Sequence, residues 1–254
     1  MWKPAGQNLT GTLPTELVHM QFLSQLSVPY NQLSGRIPIA YANVPTLQDL
    51  ELQGNLFRGR FPAKYFTGGT ASLVTFDVGD NAITGPLPST MGSMTTLTTL
   101  NVNNNNLSGE LPGTLGELFA LEYANFNNNK LIGTIPSSIY NLVQLRQLNL
   151  QSNALNGTIS TSVGQLTRLI ELRLSNNQFS GTIPSQLSAL DQLTVAWFQR
   201  NQFSGTVSPT ICSLTSMFVL SDIEADCGGP SPRVSCSCCQ ACCNPAATTC
   251  ANVP

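Results

Sequence analysis

The sequence predicts an α/β solenoid: one strip of chain coiled on itself, with a parallel β-sheet on its concave side and short helical or irregular segments on its convex side. Three observations carry that expectation: a motif recurring at a fixed interval along most of the chain, a glycine held at one place in every copy, and cysteines confined to the C-terminal end. A unit this short cannot bury its apolar side alone, so neighbouring units must stack to form one continuous core.

The motif is N-x-L-x-G-x-I-P or a close variant. Its first position is Gln7, Asn31, Asn55, Asn81, Asn105, Asn129, Asn153, Asn177 and Asn201, spaced by 24 residues except between Asn55 and Asn81. That interval is 26 residues and contains Gly68 and Gly69, a two-residue insertion. The side chain at this position is expected to hydrogen-bond backbone groups of the adjacent coil. Four residues on stands Gly11, Gly35, Gly59, Gly85, Gly109, Gly133, Gly157, Gly181 or Gly205, as required where the backbone turns tightly or takes a positive φ. Pro14, Pro38, Pro62, Pro88, Pro112, Pro136 and Pro184 follow at a fixed offset, with Ser160 and Ser208 as exceptions. Proline's locked φ and missing donor suit an extended segment leaving a strand edge.

Upstream of each motif runs L-x-x-L-x-L, for example Leu97, Leu100 and Val102, or Leu169, Leu172 and Leu174. The alternation predicts a short strand with one face inward. The outward positions then form columns along the sheet. One runs Ser27, Glu51, Asp77, Asn101, Asn125, Asn149, Arg173 and Trp197, passing from acidic through amide to cationic and aromatic. A second runs Pro29, Gln53, Gly79, Asn103, Asn127, Gln151, Ser175 and Gln199, and a third includes Asp49, Thr75, Tyr123, Gln147, Glu171 and Val195.

Segments such as LTTLNVNNNNLSGELPGTLGEL and LIELRLSNNQFSGTIPSQLSAL resemble the plant-type leucine-rich repeat of receptor-like kinases, receptor-like proteins and polygalacturonase-inhibiting proteins. The resemblance covers residues 1 to about 211 and implies a right-handed superhelix of about nine coils, the first partial. It departs from the family at the N-terminus, where the usual cysteine pair is missing and Trp2 alone hints at that cap; Met1 is read as a truncated or mispredicted start. The sequence has no Gly-rich phosphate loop, HRD or DFG, so a kinase activity is not expected of this polypeptide.

Residues 212–254 are read as a separate Cys-rich cap. Cys212, Cys227, Cys236, Cys238, Cys239, Cys242, Cys243 and Cys250 are an even set, expected to form disulfides that cover the last coil in an oxidising compartment. Eight cysteines allow roughly a hundred pairings, so connectivity is open. The dense CSCCQACC run also has the texture of a zinc or copper(I) thiolate cluster, which carries less weight because open solenoid ends need covers. DCGGPSPRVSCSCCQACC further resembles the cap of leucine-rich-repeat proteins of diatoms and related algae.

Charged residues make up 9% of the chain against roughly 25% in ordinary globular proteins, while Asn occurs 23 times. A net charge of -2 and no run of Lys or Arg argue against nucleic acid as a partner. No apolar stretch approaches the roughly 18–20 residues that span a bilayer, and the start MWKPAGQ lacks the apolar core of a signal peptide. A membrane association is therefore expected only through a segment outside this sequence.

Enzyme chemistry finds little support. His19 is the single histidine and falls in an expected helical segment, far in sequence from the cysteines. Asp49, Glu51, Asp77 and Asp80 are read as exposed strand residues with no pocket to raise a pKa. No catalytic residue, metal or cofactor is expected. Three candidate glycosylation acceptors, Asn8, Asn106 and Asn156, begin N-x-S/T sequons, and a glycan on Asn8 or Asn106 would project from the solenoid's side.

Tyr, Trp and Arg dominate binding hot spots. The expected partner-binding set is accordingly Tyr30, Glu51, Asp77, Asn101, Tyr123, Asn125, Asn149, Arg173, Trp197, Gln199 and Arg200. The leading expectation is an extracellular or cell-surface module that binds a protein, peptide or glycan on its concave face in signalling, adhesion or defence. The resemblance also implies an inhibitor of polysaccharide-degrading enzymes. The amide patch Asn101, Asn103, Asn125, Asn127 and Asn149 would suit an ice-binding protein, and the sparse charge would suit a structural wall or matrix protein.

Overall fold

A computed structural model describes residues 5–20, 22–61, 72–216, 219–228, 232–244 and 249–252. Trp2, Pro62, Gly68 and Gly69 lie outside the described residues, as does the side chain of Cys250. The chain is an α/β solenoid. Among the described residues its long sheet has eleven strands, parallel up to the final antiparallel pair. It begins with Gln25–Ser27, Asp49–Glu51 and Thr75–Asp77, and continues through Glu171–Arg173 and Val195–Trp197 into Asp222–Ala225 and Ala241–Asn244.

Each repeat strand in this sheet is three residues long, and its middle residue points into the core. Leu26, Leu50, Phe76, Leu100, Leu148 and Leu172 are buried there. Where that residue shrinks to Ala124 or Ala196, the next inward position enlarges to Phe126 or Phe198, also buried. Volume is thus conserved within a coil, as close packing demands.

Beyond each strand the chain turns through a left-handed residue immediately before the motif's first position. Gly6, Tyr30, Gly54, Asp80, Asn104, Asn128, Ser152, Asn176 and Arg200 all have φ between 47° and 68°. Glycine, Asn and Asp tolerate that region best, which explains most of the column. The Asn that follows turns inward as expected. The Asn177 side chain accepts from Leu155 N–H and donates to the carbonyls of Leu150 and Leu174, and Asn55, Asn105, Asn129, Asn153 and Asn201 repeat the pattern. Gln7 does not: it is exposed, and its amide reaches only the carbonyl of Ala5.

A second sheet accompanies the first, and the repeat pattern gives no expectation of it. Among the described residues nine parallel strands, from Thr10–Thr12 to Gln202–Phe203, are formed by the L-x-G part of the motif. Leu33, Phe57, Leu107, Leu155 and Phe179 point inward from it. The motif glycines take φ between 76° and 95°, and a Cβ on Gly157 would stand 2.7 Å from Thr134 Cγ2 of the preceding coil. Both causes expected for this glycine, positive φ and close approach, therefore operate.

After each described motif proline comes a 3-10 helix, such as Gly113–Glu117 or Ser185–Ala189. The two serine exceptions are caps: Ser160 Oγ accepts from Ser162 N–H and Ser208 Oγ from Thr210 N–H. The α-helix Pro209–Ser216 replaces the 3-10 turn in the last coil and runs across residue 211. Core and long sheet therefore continue into the Cys-rich segment.

Disulfides Cys212–Cys238, Cys227–Cys242 and Cys236–Cys239 staple that segment, and Cys243, also disulfide-bonded, stands opposite Cys250 in the final strand pair. The sulfurs of Cys227, Cys236 and Cys239 lie within 4.8 Å of one another, but each is committed to a disulfide. Asp226, fully buried, ends the asparagine ladder: its two carboxylate oxygens accept from Arg200 N–H and Asn201 N–H. An acceptor-only group fits a terminus where no further coil supplies carbonyls.

Candidate ligand-binding face

The outward side of the long sheet carries one unbroken row of neighbours. Strand register places Ser27, Glu51, Asp77, Asn101, Asn125, Asn149, Arg173, Trp197 and Glu224 side by side. The amides in this row are bound into the scaffold. Asn101, Asn125 and Asn149 each accept, through Oδ1, the N–H two residues on. That is the local Asx bond which lets a short polar side chain hold its own backbone turn. Asn149 is 3% exposed and Gln199 8%, so both lie beneath their neighbours instead of presenting surface to a partner. In the adjacent row, acceptor oxygens of Gln53, Asn103, Asn127, Ser175 and Gln199 are buried with no hydrogen-bond partner among the described residues.

The C-terminal end of the face has a different character. The Arg173 guanidinium carbon sits 4.6 Å from the centre of the Trp197 ring, and Arg173 pairs with Glu171 at 3.1 Å. Trp197 Nε1 donates to Asp222 Oδ2 at 2.8 Å, and the Gln199 amide donates to Glu224. The indole is thus half-buried, stacked on one side and hydrogen-bonded on its edge. Arg200 stands exposed beside it with positive φ and donates to Asn176 Oδ1 at 3.3 Å. The left-handed φ at Arg200 is the one the repeat imposes at this position in every described coil.

The expected drift from acid to base along the row is corrected at this end. Asp222 and Glu224 extend the sheet past Trp197, so the cation is bracketed by carboxylates. Burial raises the Glu224 carboxyl above its ordinary range, Asp222 adds to the rise, and Arg200 opposes it. Repeat spacing does not reach these acids, because it ends the sheet with the last motif, although the alternation Asp222-Ile223-Glu224-Ala225 is visible in the sequence.

Asp77 requires a second correction. Strand alternation makes it exposed with nothing to raise its pKa, yet burial pushes its carboxyl up, with Glu51 and Asp80 contributing, against hydrogen bonds from Gly79 N–H and the Asn101 amide. A carboxyl whose folded pKa is raised favours folding below its unfolded pKa, and that contribution is lost as pH rises through the folded value. Asp77→Asn removes the charge that burial penalises and keeps an acceptor for Gly79 N–H, at the loss of the hydrogen bond from the Asn101 amide. It is expected to raise Tm at pH 7, with the gain shrinking as pH falls through the carboxylate range; thermal melts of both proteins across that range check this.

Tyr30 and Tyr123 are 63% and 42% exposed. Seven strand spacings, roughly 34 Å, separate the Tyr30 end of the sheet from Trp197, so the candidate set does not converge on one spot. Arg173, Trp197, Gln199 and Arg200 do come together; Tyr30, Glu51 and Asp77 belong to the far end. His19 is solvent-exposed in the helix Thr15–His19. Asn8, Asn106 and Asn156 are exposed, the last two within strands of the second sheet. On the helical side lies an open groove of about 720 Å³ lined by residues such as Ser162, Gln165 and Gln186, with no charged side chain.

A model of the leucine-rich repeat matches residues 96–118, 120–142, 144–166 and 168–190. The chain carries leucine-rich repeats over those residues, and its structural relatives include ectodomains of plant receptors of this repeat type. No curated protein matches it by sequence. The plant peptide hormone receptor RGFR1, solved in complex with RGF2, is 31% identical with a TM-score of 0.81, over 91% of this chain and 35% of that one. The Arabidopsis receptor kinase HAESA, solved with the peptide hormone IDA and the co-receptor SERK1, is 25% identical with a TM-score of 0.79, over 96% of this chain and 42% of that one. The chain thus spans about a third to two fifths of those receptor chains. A plant ice-binding protein, 24% identical with a TM-score of 0.72 over 88% of this chain and 72% of that one, shares the fold. Among the described residues no helix is long and apolar enough to cross a membrane.

Proposed function

We propose that the chain is an extracellular recognition module that binds a peptide segment in extended form along the outward face of its long sheet, and acts by binding, not by turnover. The observation that carries this reading is the preset anchor at the C-terminal end, where Trp197 is held between the Arg173 guanidinium and the Asp222 carboxylate. An aromatic ring fixed before the ligand arrives loses little freedom on binding, and rigid aromatic and arginine side chains make effective hot spots. Two relatives, a peptide hormone receptor and a receptor kinase solved with its peptide hormone, support peptide as the ligand class. The disulfide-stapled cap supports an oxidising, extracellular setting.

Panning a library of random linear peptides on the folded chain tests the proposal. Selected peptides should lose at least about 2 kcal/mol, roughly 30-fold in Kd, with Trp197→Ala. Because the substitution also removes the stacking on Arg173 and the hydrogen bond to Asp222, thermal melts should show both proteins folded at the assay temperature before affinities are compared. Peptides that bind the variant as tightly as the parent would rule out the anchor.

A further inference from the structure

The chain has eight arginines, and five of them have partners: Arg146 with Glu122, Arg168 with Gln144, Arg173 with Glu171, Arg200 with Asn176 and Arg233 with the carbonyl of Asn201. The other three are Arg36, Arg58 and Arg60, all exposed, and among the described residues none makes an ion pair or a side-chain hydrogen bond. They form one cluster, on the outer face of the second sheet in two consecutive coils. We propose that this cluster is a binding site for an anionic polysaccharide bearing a carboxylate or sulfate on each repeating unit.

Placement comes from the register. Ser34 pairs with Leu56 and Gly35 with Phe57, so the next residues, Arg36 and Arg58, stand side by side. Arg60 is the equivalent of Arg36 one coil on, about 4.8 Å along the solenoid. The Arg36 side chain lies across Gly59, whose added Cβ would be 3.2 Å from Arg36 Nε, and Arg60 lies across Gly85, with 3.1 Å to its Nε. Between Arg36 and Arg60 opens a cavity of about 270 Å³ walled by Ile37, Pro38 and Ile39. Like charges directly opposite one another on a sheet are destabilising. Here three are kept together without an acid to offset them, in a chain only 9% charged. The position of Arg36 and Arg60 is Thr12, Thr134, Thr158, Thr182 or Thr206 in most other coils, so the repeat itself does not require a cation.

The chemistry selects the ligand. Two guanidiniums one coil apart offer planar donor forks at a regular interval, suited to carboxylates or sulfates repeated along a polymer. The surrounding face offers aliphatic walls and hydroxyls such as Thr84, which suit sugar rings and their hydroxyl groups. Backbone groups of this sheet are already paired from coil to coil, so a peptide finds no open edge to extend. The site is separate from the long-sheet face and does not rest on the peptide reading.

The test is a titration of the full chain with labelled oligogalacturonate, a sulfated heparin oligosaccharide and fully methyl-esterified oligogalacturonate. At least one of the two anions should bind, with affinity falling as salt rises, and the neutral ester should not. Which anion binds identifies carboxylate or sulfate as the group recognised. The triple variant R36Q, R58Q and R60Q should lose more than roughly tenfold in affinity, with an unchanged or higher Tm, and Trp197→Ala should bind like the parent. The proposal is overturned if neither anion binds, if the triple variant binds as well as the parent, or if the neutral ester binds equally.

Discussion

Asn177→Ala is expected to cost about 2–3 kcal/mol of unfolding free energy, because it strands the buried Leu155 N–H, while the carbonyls of Leu150 and Leu174 keep donors in the Asn153 and Asn201 amides. Its side chain is the sole link from Leu155 N–H to the next coil and also holds the carbonyls of Leu150 and Leu174. Water cannot readily replace it at 9% exposure. Gln7 occupies the same motif position but is exposed and makes no such link, so Gln7→Ala should stay within about 0.5 kcal/mol. Paired chemical denaturation of the two variants checks the contrast. A loss below about 1 kcal/mol for Asn177→Ala would mean that apolar stacking alone joins the coils.

Removing the Cys212–Cys238 link by a double serine substitution is expected to cost about 3 kcal/mol, given a closed loop spanning 26 residues. This disulfide ties the helix Pro209–Ser216 to the cap. Beneath it lie Phe198, Phe203, Val207 and Ile211, the end of the core, which has a repeat neighbour on one side only. Full reduction should therefore release amide-exchange protection first in Val195–Trp197 and Asp222–Ala225, while the coils of residues 96–190 stay protected. Uniform loosening of the whole chain would contradict an end-cap role. Finding free thiols with stoichiometric zinc in the isolated protein would contradict the disulfides themselves.

The long sheet is legible in the sequence because its signal is spatially simple. A 24-residue interval with L-x-x-L-x-L places one inward residue per strand, and register then follows from the repeat. The second sheet is hidden because its inward residue is a lone Leu, Phe or Ile flanked by turn-forming Asn and Gly, a pattern that reads equally as a loop. The left-handed column is signalled by the Asn-Asn pairs at Asn104, Asn128 and Asn176, while Tyr30, Ser152 and Arg200 obscure it. On the candidate face, the sequence locates Arg173, Trp197 and Arg200 but not what holds them. Glu171 holds Arg173 from two residues away on the same strand, whereas Asp222 and Glu224 act across strands from the cap, where the repeat no longer supplies the register. The burial of Asn149 and Gln199 is a matter of neighbouring side-chain size, which outward alternation alone does not report.

The placement of the ligand on the long sheet is tested most directly by amide-exchange mass spectrometry of the chain with and without a peptide selected on it. Binding there should slow exchange in Glu171–Arg173, Val195–Trp197 and the turn at Arg200, and leave the helices Thr161–Gln165 and Ser185–Ala189 unchanged. Protection confined to those two helices, which border the open groove lined by Ser162 and Gln186, would place the ligand on the opposite side and contradict binding on the long sheet.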